Sequence, residues 1–101
     1  MTVKKYDESE ILTIKKRYVY RKYKDEGLIV DREQQKNEND KQFTSFHLNE
    51  TGCIIIEQIK EKKSIKQIIK KISLVYDISL AKAEKDTLDF IEDLKKVDIL
   101  D

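Results

Sequence analysis

Glycine is almost absent from this chain: Gly27 and Gly52 are the only two in 101 residues. Neither a glycine-rich phosphate loop nor a G-x-S-x-G nucleophile elbow can be built from them, because both need glycine where the backbone bends sharply or approaches a ligand. Histidine and cysteine occur once each, as His47 and Cys53. Two ligands fall short of the three or four that zinc requires, so no metal or other cofactor is expected. A lone cysteine cannot form an internal disulfide, which fits a reducing compartment. Carboxylate neighbours such as Glu92 and Asp93 do not face each other on a helix, so they form no acid–base pair. The sequence therefore predicts a protein that is not an enzyme.

Arginine is scarce as well. Only Arg17, Arg21 and Arg32 carry the side chain best suited to bidentate reading of phosphate or guanine. Lys and Arg total 21 against 20 Asp and Glu, so the chain is 41% charged yet nearly neutral and has no general attraction to nucleic acid. No run approaches 18 apolar residues, and the start, "MTVKKYDESE", lacks the apolar stretch of a signal peptide. A cytoplasmic protein with no membrane partner is expected.

What the chain does contain is strongly patterned. A length of 101 residues suits one domain, with residues 1–10 polar and frayed and 11–101 folded. Aromatic and β-branched residues on both sides of Asp25-Glu26-Gly27 predict a β-hairpin turning there, with a helix over 11–24 as the competing reading because Lys and Arg are good helix formers. Residues 31–42, "DREQQKNENDKQ", hold nothing apolar and read as a solvated loop or a ragged extension of the hairpin.

In "SFHLNETGCIIIEQI", residues 45–59, Phe46 and Leu48 alternate with polar residues as in a strand. Asn49 then offers a helix N-cap, and Gly52, Ile55, Ile56 and Ile59 share one helical face. Ile54 points nearly opposite, toward the loop, a partner or solvent. A second helix opens at Ser64 with Ile65, Ile68, Ile69, Ile72, Val75 and Tyr76 on one face. A third opens near Ser79 with a stripe of Leu80, Ala83, Thr87, Phe90, Ile91, Leu94 and Val97. The order β-β-β-α-α-α is that of an α+β domain: a three-stranded antiparallel sheet followed by three helices, with the third strand, about residues 43–48, at an edge. An edge strand can recruit another strand.

"FHLNETG" with "IIIEQI", then "SIKQIIKKISLVYDI", then "KDTLDFIEDLKKVDIL" resembles the PqqD family, the small proteins of pyrroloquinoline quinone biosynthesis. The same module serves as the RiPP recognition element in pathways that make ribosomally synthesised, modified peptides. The resemblance covers roughly residues 43–100. It implies a winged-helix-like domain without enzymatic activity that binds the leader segment of a precursor peptide and presents it to a modifying enzyme.

In that family the leader adds as a strand beside the third strand, in the groove next to the third helix. Carried onto this sequence, the strand positions are Phe43, Thr44, Ser45, Phe46, His47 and Leu48. On the third helix the candidates flank the core stripe: Lys85, Leu88, Asp89 and Glu92. Two departures stand out. Lys60-Glu61-Lys62-Lys63 replaces a common glycine-containing turn between the first two helices, and Asp98 stands where a glycine often precedes the last apolar pair. They leave a lasso peptide or a radical-SAM-modified peptide as open as pyrroloquinoline quinone itself.

The implied partners are thus a leader peptide and a modifying enzyme, either a radical SAM enzyme or a lasso-peptide protease/cyclase, with a homodimer left open. Two rivals are a small winged-helix DNA-binding protein and a structural subunit that self-associates through Ile54. Glu84, Asp86, Asp89, Glu92 and Asp93 on the third helix would repel phosphates and count against the DNA reading.

Overall fold

The computed structural model describes residues 6–33 and 45–101. Its elements follow the expected order: β1 (Tyr18–Tyr23), β2 (Glu26–Asp31), β3 (Ser45–Leu48), α1 (Glu50–Lys60), α2 (Ile65–Tyr76) and α3 (Leu80–Lys96). The strands form one antiparallel sheet in the order β1-β2-β3. Strand alternation turns Tyr20, Gly27, Ile29, Phe46 and Leu48 toward the helices. Ile29 and Leu48 are buried there with Ile55, Ile56 and Ile59 of α1, Ile68 and Ile72 of α2, and Ala83, Ile91 and Leu94 of α3. Ile54 is half-buried and packs on this core from its margin, so it is neither free nor fully covered.

Each helix start follows its sequence signal. Asn49 caps α1 by accepting from the Gly52 amide at 2.8 Å, so β3 passes into α1 through one residue that ends the strand and starts the helix. Ser64 and Gln67 form a capping box on α2, and Ser79 accepts from the Lys82 amide on α3.

The structure corrects several expectations. The hairpin turns at Lys24-Asp25, with Lys24 at φ +57°, while Gly27 lies inside β2 facing the helices. Asp31 is not part of a solvated loop: it ends β2, is 3% exposed, and accepts two bonds from Arg17, at 2.7 and 3.1 Å. Arg17 is thereby committed to the fold. Leu80 and Val75, read as core, are 61% and 47% exposed; they lie on either side of the short α2–α3 connection, at the ends of their stripes.

Residues 6–10, expected to fray, are tied down. The Glu10 and Glu8 carbonyls accept from the first two amides of α2, Ile65 and Lys66, and the Tyr6 hydroxyl donates to Glu84 of α3 at 2.7 Å. Isolated bridges pair Ile11 with Ser64 and Ile14 with Leu100, burying Leu12, Ile99 and Leu100. Both departures from the family pattern fall on left-handed backbone: Lys62 has φ +64° and Asp98 φ +60°. A glycine would take either conformation without steric cost.

Candidate functional site

β3 pairs with β2 through Gly27↔Leu48, Leu28↔His47, Ile29↔Phe46 and Val30↔Ser45. Among the described residues nothing pairs with its other side, which leaves a row of backbone donors and acceptors. Leu48 is buried, Phe46 half-buried, and His47 exposed on the opposite face. The Phe46 ring meets Phe90 of α3 edge to face, with centroids 6.2 Å apart and planes at 72°.

Two depressions flank this ring pair and share Asn49, Phe90 and Asp93. The first, about 390 Å³, adds Phe46, His47, Leu48 and Glu26. The second, about 270 Å³, runs on to Thr51, Gly52, Asp86 and Asp89. Together they form a groove from the β3 edge along one flank of α3. Gly52 makes room for it: a Cβ there would stand 3.1 Å from the Phe90 ring and 3.3 Å from both Asn49 and Leu48. The helical glycine lets an aromatic ring lie on α1 and remain half-open to solvent.

The groove is acidic. Asp86 and Asp89 accept from Lys82 and Lys85, at 2.9 and 2.7 Å, and the bond to Asp89 raises the Lys85 pKa above the ordinary lysine value. Asp93 and Glu26 carry no ion pair among the described residues. Such a surface can hold an extended chain through backbone hydrogen bonds and take side chains against Phe46 and Phe90. No group of three or more His, Cys, Asp and Glu side chains among the described residues could hold a metal ion. No helix there is long and apolar enough to cross a membrane.

The structure divides the predicted site residues. Ser45, Phe46, His47 and Leu48 lie on β3 as expected, and Phe43 and Thr44 lie outside the described residues. Asp89 reaches the groove, but Lys85, Leu88 and Glu92 are on the opposite flank of α3. There they border a further depression of about 450 Å³ with Tyr6, Glu10 and Ile65, which Asp89 also reaches. Periodicity gives the core stripe two margins and does not say which one the sheet lies against. The flank beside β3 is formed by Asp86, Phe90 and Asp93, of which Phe90 reads from sequence as plain core. Its signal was present at the edge of the stripe, in a large aromatic opposite a helical glycine.

Comparison with known proteins bears on the family and the fold. The family model described as "Coenzyme PQQ synthesis protein D (PqqD)" matches residues 38–100. A solved structure, "TbiB1 in Complex with the TbiA(beta) Leader Peptide", superposes with a TM-score of 0.73 at 23% identity. The superposition covers 87% of this chain and 93% of that one. No curated protein matches the chain.

Proposed function

The chain belongs to the PqqD family, and from that membership we propose that it is a non-catalytic recognition protein that binds the leader of a ribosomally made precursor peptide. The leader adds as a fourth strand along the outer edge of β3. The observation that carries this reading is the outer edge of β3, beside which no described strand lies, next to the groove of Phe46, Phe90 and Asp93. Main-chain hydrogen bonds supply affinity that is independent of sequence, and every second leader side chain points into the groove, where the aromatic pair selects apolar residues. A leader that is disordered when free pays its ordering cost on binding, so a pre-formed strand and a rigid ring pair favour capture.

Holding the leader converts the meeting of core peptide and enzyme into an intramolecular event with a raised effective concentration. The receiving enzyme is of radical SAM or lasso-peptide protease/cyclase type. A structurally similar protein solved in complex with a leader peptide supports this reading.

The test is an NMR titration of the isotopically labelled protein with the leader half of a short peptide encoded beside its gene. Saturable shifts concentrated in residues 45–49 and 86–93 are expected. Shifts centred on Tyr6, Leu88 and Lys95 would move the site to the other flank of α3. A folded protein that gives no shifts with any such peptide would overturn leader recognition.

A further inference from the structure

The opposite edge of the sheet carries a second surface of contrary charge. Segment 13–16, Tyr18 and Tyr20 of β1, Ile29 of β2 and the end of α1 enclose a cavity of about 220 Å³. Its floor is the buried Ile29 and Ile59, its walls are the two tyrosine rings, and its rim is Lys15, Lys16, Lys60 and Lys62. No carboxylate lines it.

Nearby acids are already engaged. Asp98 pairs with Lys15 at 2.8 Å, while Glu57 accepts from the Tyr20 hydroxyl at 2.7 Å and lies 3.8 Å from Lys22. Lys16, Lys60 and Lys62 have no carboxylate partner among the described residues. Lys60 stands over the Tyr20 ring, its ammonium 5.4 Å from the centroid. Lys62 reaches the rim from a left-handed backbone, φ +64°, that costs a lysine energy and a glycine none.

We propose that this cavity is a docking site for an acidic protein segment, one that inserts a single large apolar or aromatic side chain between the tyrosines while flanking carboxylates meet the lysine rim. The chemistry follows from the lining. An apolar floor with aromatic walls excludes water around one anchoring side chain, and the ammonium groups of Lys16, Lys60 and Lys62, which no described carboxylate compensates, select acidic neighbours. The volume, below that of an ordinary small-molecule pocket, admits one side chain rather than a whole cofactor. Nucleic acid is the poorer fit, because no arginine lines the cavity and the chain carries almost no net charge. The site goes beyond leader capture and does not depend on it: the cavity adjoins β1, the leader groove adjoins β3, and β2 lies between, so both can be filled at once.

The experiment uses the isotopically labelled full-length protein and the blocked peptide Glu-Glu-Phe-Glu-Glu, with Gln-Gln-Phe-Gln-Gln as its neutral counterpart. Saturable amide shifts confined to residues 13–20 and 59–62 are expected with the acidic peptide, and at least about tenfold weaker binding with the neutral one. Lys60→Glu/Lys62→Glu should weaken the acidic peptide by a similar factor, while Lys70→Glu/Lys71→Glu on α2 leaves it unchanged. Lys16→Glu, on an exposed loop, gives the same loss without touching a helix end. Equal binding of both peptides, or unchanged affinity in the rim variants, would overturn the site. So would an oligothymidylate that shifts these amides where the acidic peptide does not.

Discussion

Gly27→Ala tests how closely the sheet and α1 are fitted. Gly27 is buried in β2 with an ordinary negative φ, so it is there for the space it leaves and not for its backbone freedom. A Cβ at this position would stand 2.7 Å from Cys53 Sγ, 3.1 Å from the Arg21 carbonyl oxygen and 3.2 Å from the Tyr20 ring. Non-bonded heavy atoms rest at roughly 3.5–4.0 Å, so α1 must retreat by about 1 Å or the strand must bend. Cys53 cannot swing aside, because it is 1% exposed on a helix pinned by Ile55, Ile56 and Ile59.

Overpacking of this kind costs about 1–3 kcal/mol, partly offset by about 0.5–1 kcal/mol from the stiffer unfolded chain. A net loss of about 1–2 kcal/mol should lower Tm by roughly 5–15 °C in a domain this size. Cys53→Ala removes the sulfur behind the shortest contact. Alone it should destabilise by about 1 kcal/mol, yet in the alanine-27 background it should cost much less. Urea unfolding of the four proteins gives the cycle, with an expected coupling of about 1 kcal/mol. Additivity within about 0.3–0.5 kcal/mol would refute the argument that Gly27 and Cys53 meet across this seam.

Arg17→Met strips the buried Asp31 of its two charged bonds. With Arg17 itself partly exposed, a loss of stability is expected in denaturant titrations, largely recovered in Arg17→Met/Asp31→Leu. Burial, and then donation to Glu84, push the Tyr6 phenol from 10.0 up to about 12. The folded state therefore holds this proton more tightly, and its contribution is intact below pH 10 and lost as pH rises through 12; Tyr6→Phe should flatten that slope of stability against pH. Asp98→Gly relieves a left-handed aspartate but also removes the exposed ion pair to Lys15, so stability should rise by at most about 0.5 kcal/mol, read by thermal melts. Phe90→Ala should weaken leader binding by about 2 kcal/mol in fluorescence anisotropy while Leu88→Ala leaves it within about 0.5 kcal/mol.

The fold was legible where local signals agreed. Asn49, Ser64 and Ser79 each cap the helix that the pattern after them predicts, and isoleucines spaced three and four apart bury as one face. The strand half of the candidate groove followed from Phe46 and Leu48 and from the order of the strands. The helix half did not, because Leu88 and Phe90 are equally good margins of the α3 stripe until the sheet is placed against one of them. Gly27 misled for a related reason: a glycine between two strands signals a turn, whereas its use here is set by Cys53, distant in sequence. Asp31 was hidden in a polar run, and its burial is compensated by bonds from Arg17 and from the Glu33 amide.

The segment before the sheet carries a consequence for how the molecule comes together. The first amides of α2 are completed by the Glu8 and Glu10 carbonyls, the Lys15 amide finds the Ile99 carbonyl, and the Asp101 amide finds Thr13. One short stretch is thus a clasp that closes on elements from both the middle and the far end of the sequence. Such a clasp cannot fasten until residues 99–101 have emerged, since loop closure over that separation must be met before the contacts reward it. A chain halted earlier could already close the head of α2 with the Glu8 and Glu10 carbonyls, but it would lack the bonds that tie Thr13 and Lys15 to the far end of the sequence. Closure at the far end is then the late event, and protection of the Lys15 and Asp101 amides from exchange would time the completion of the domain.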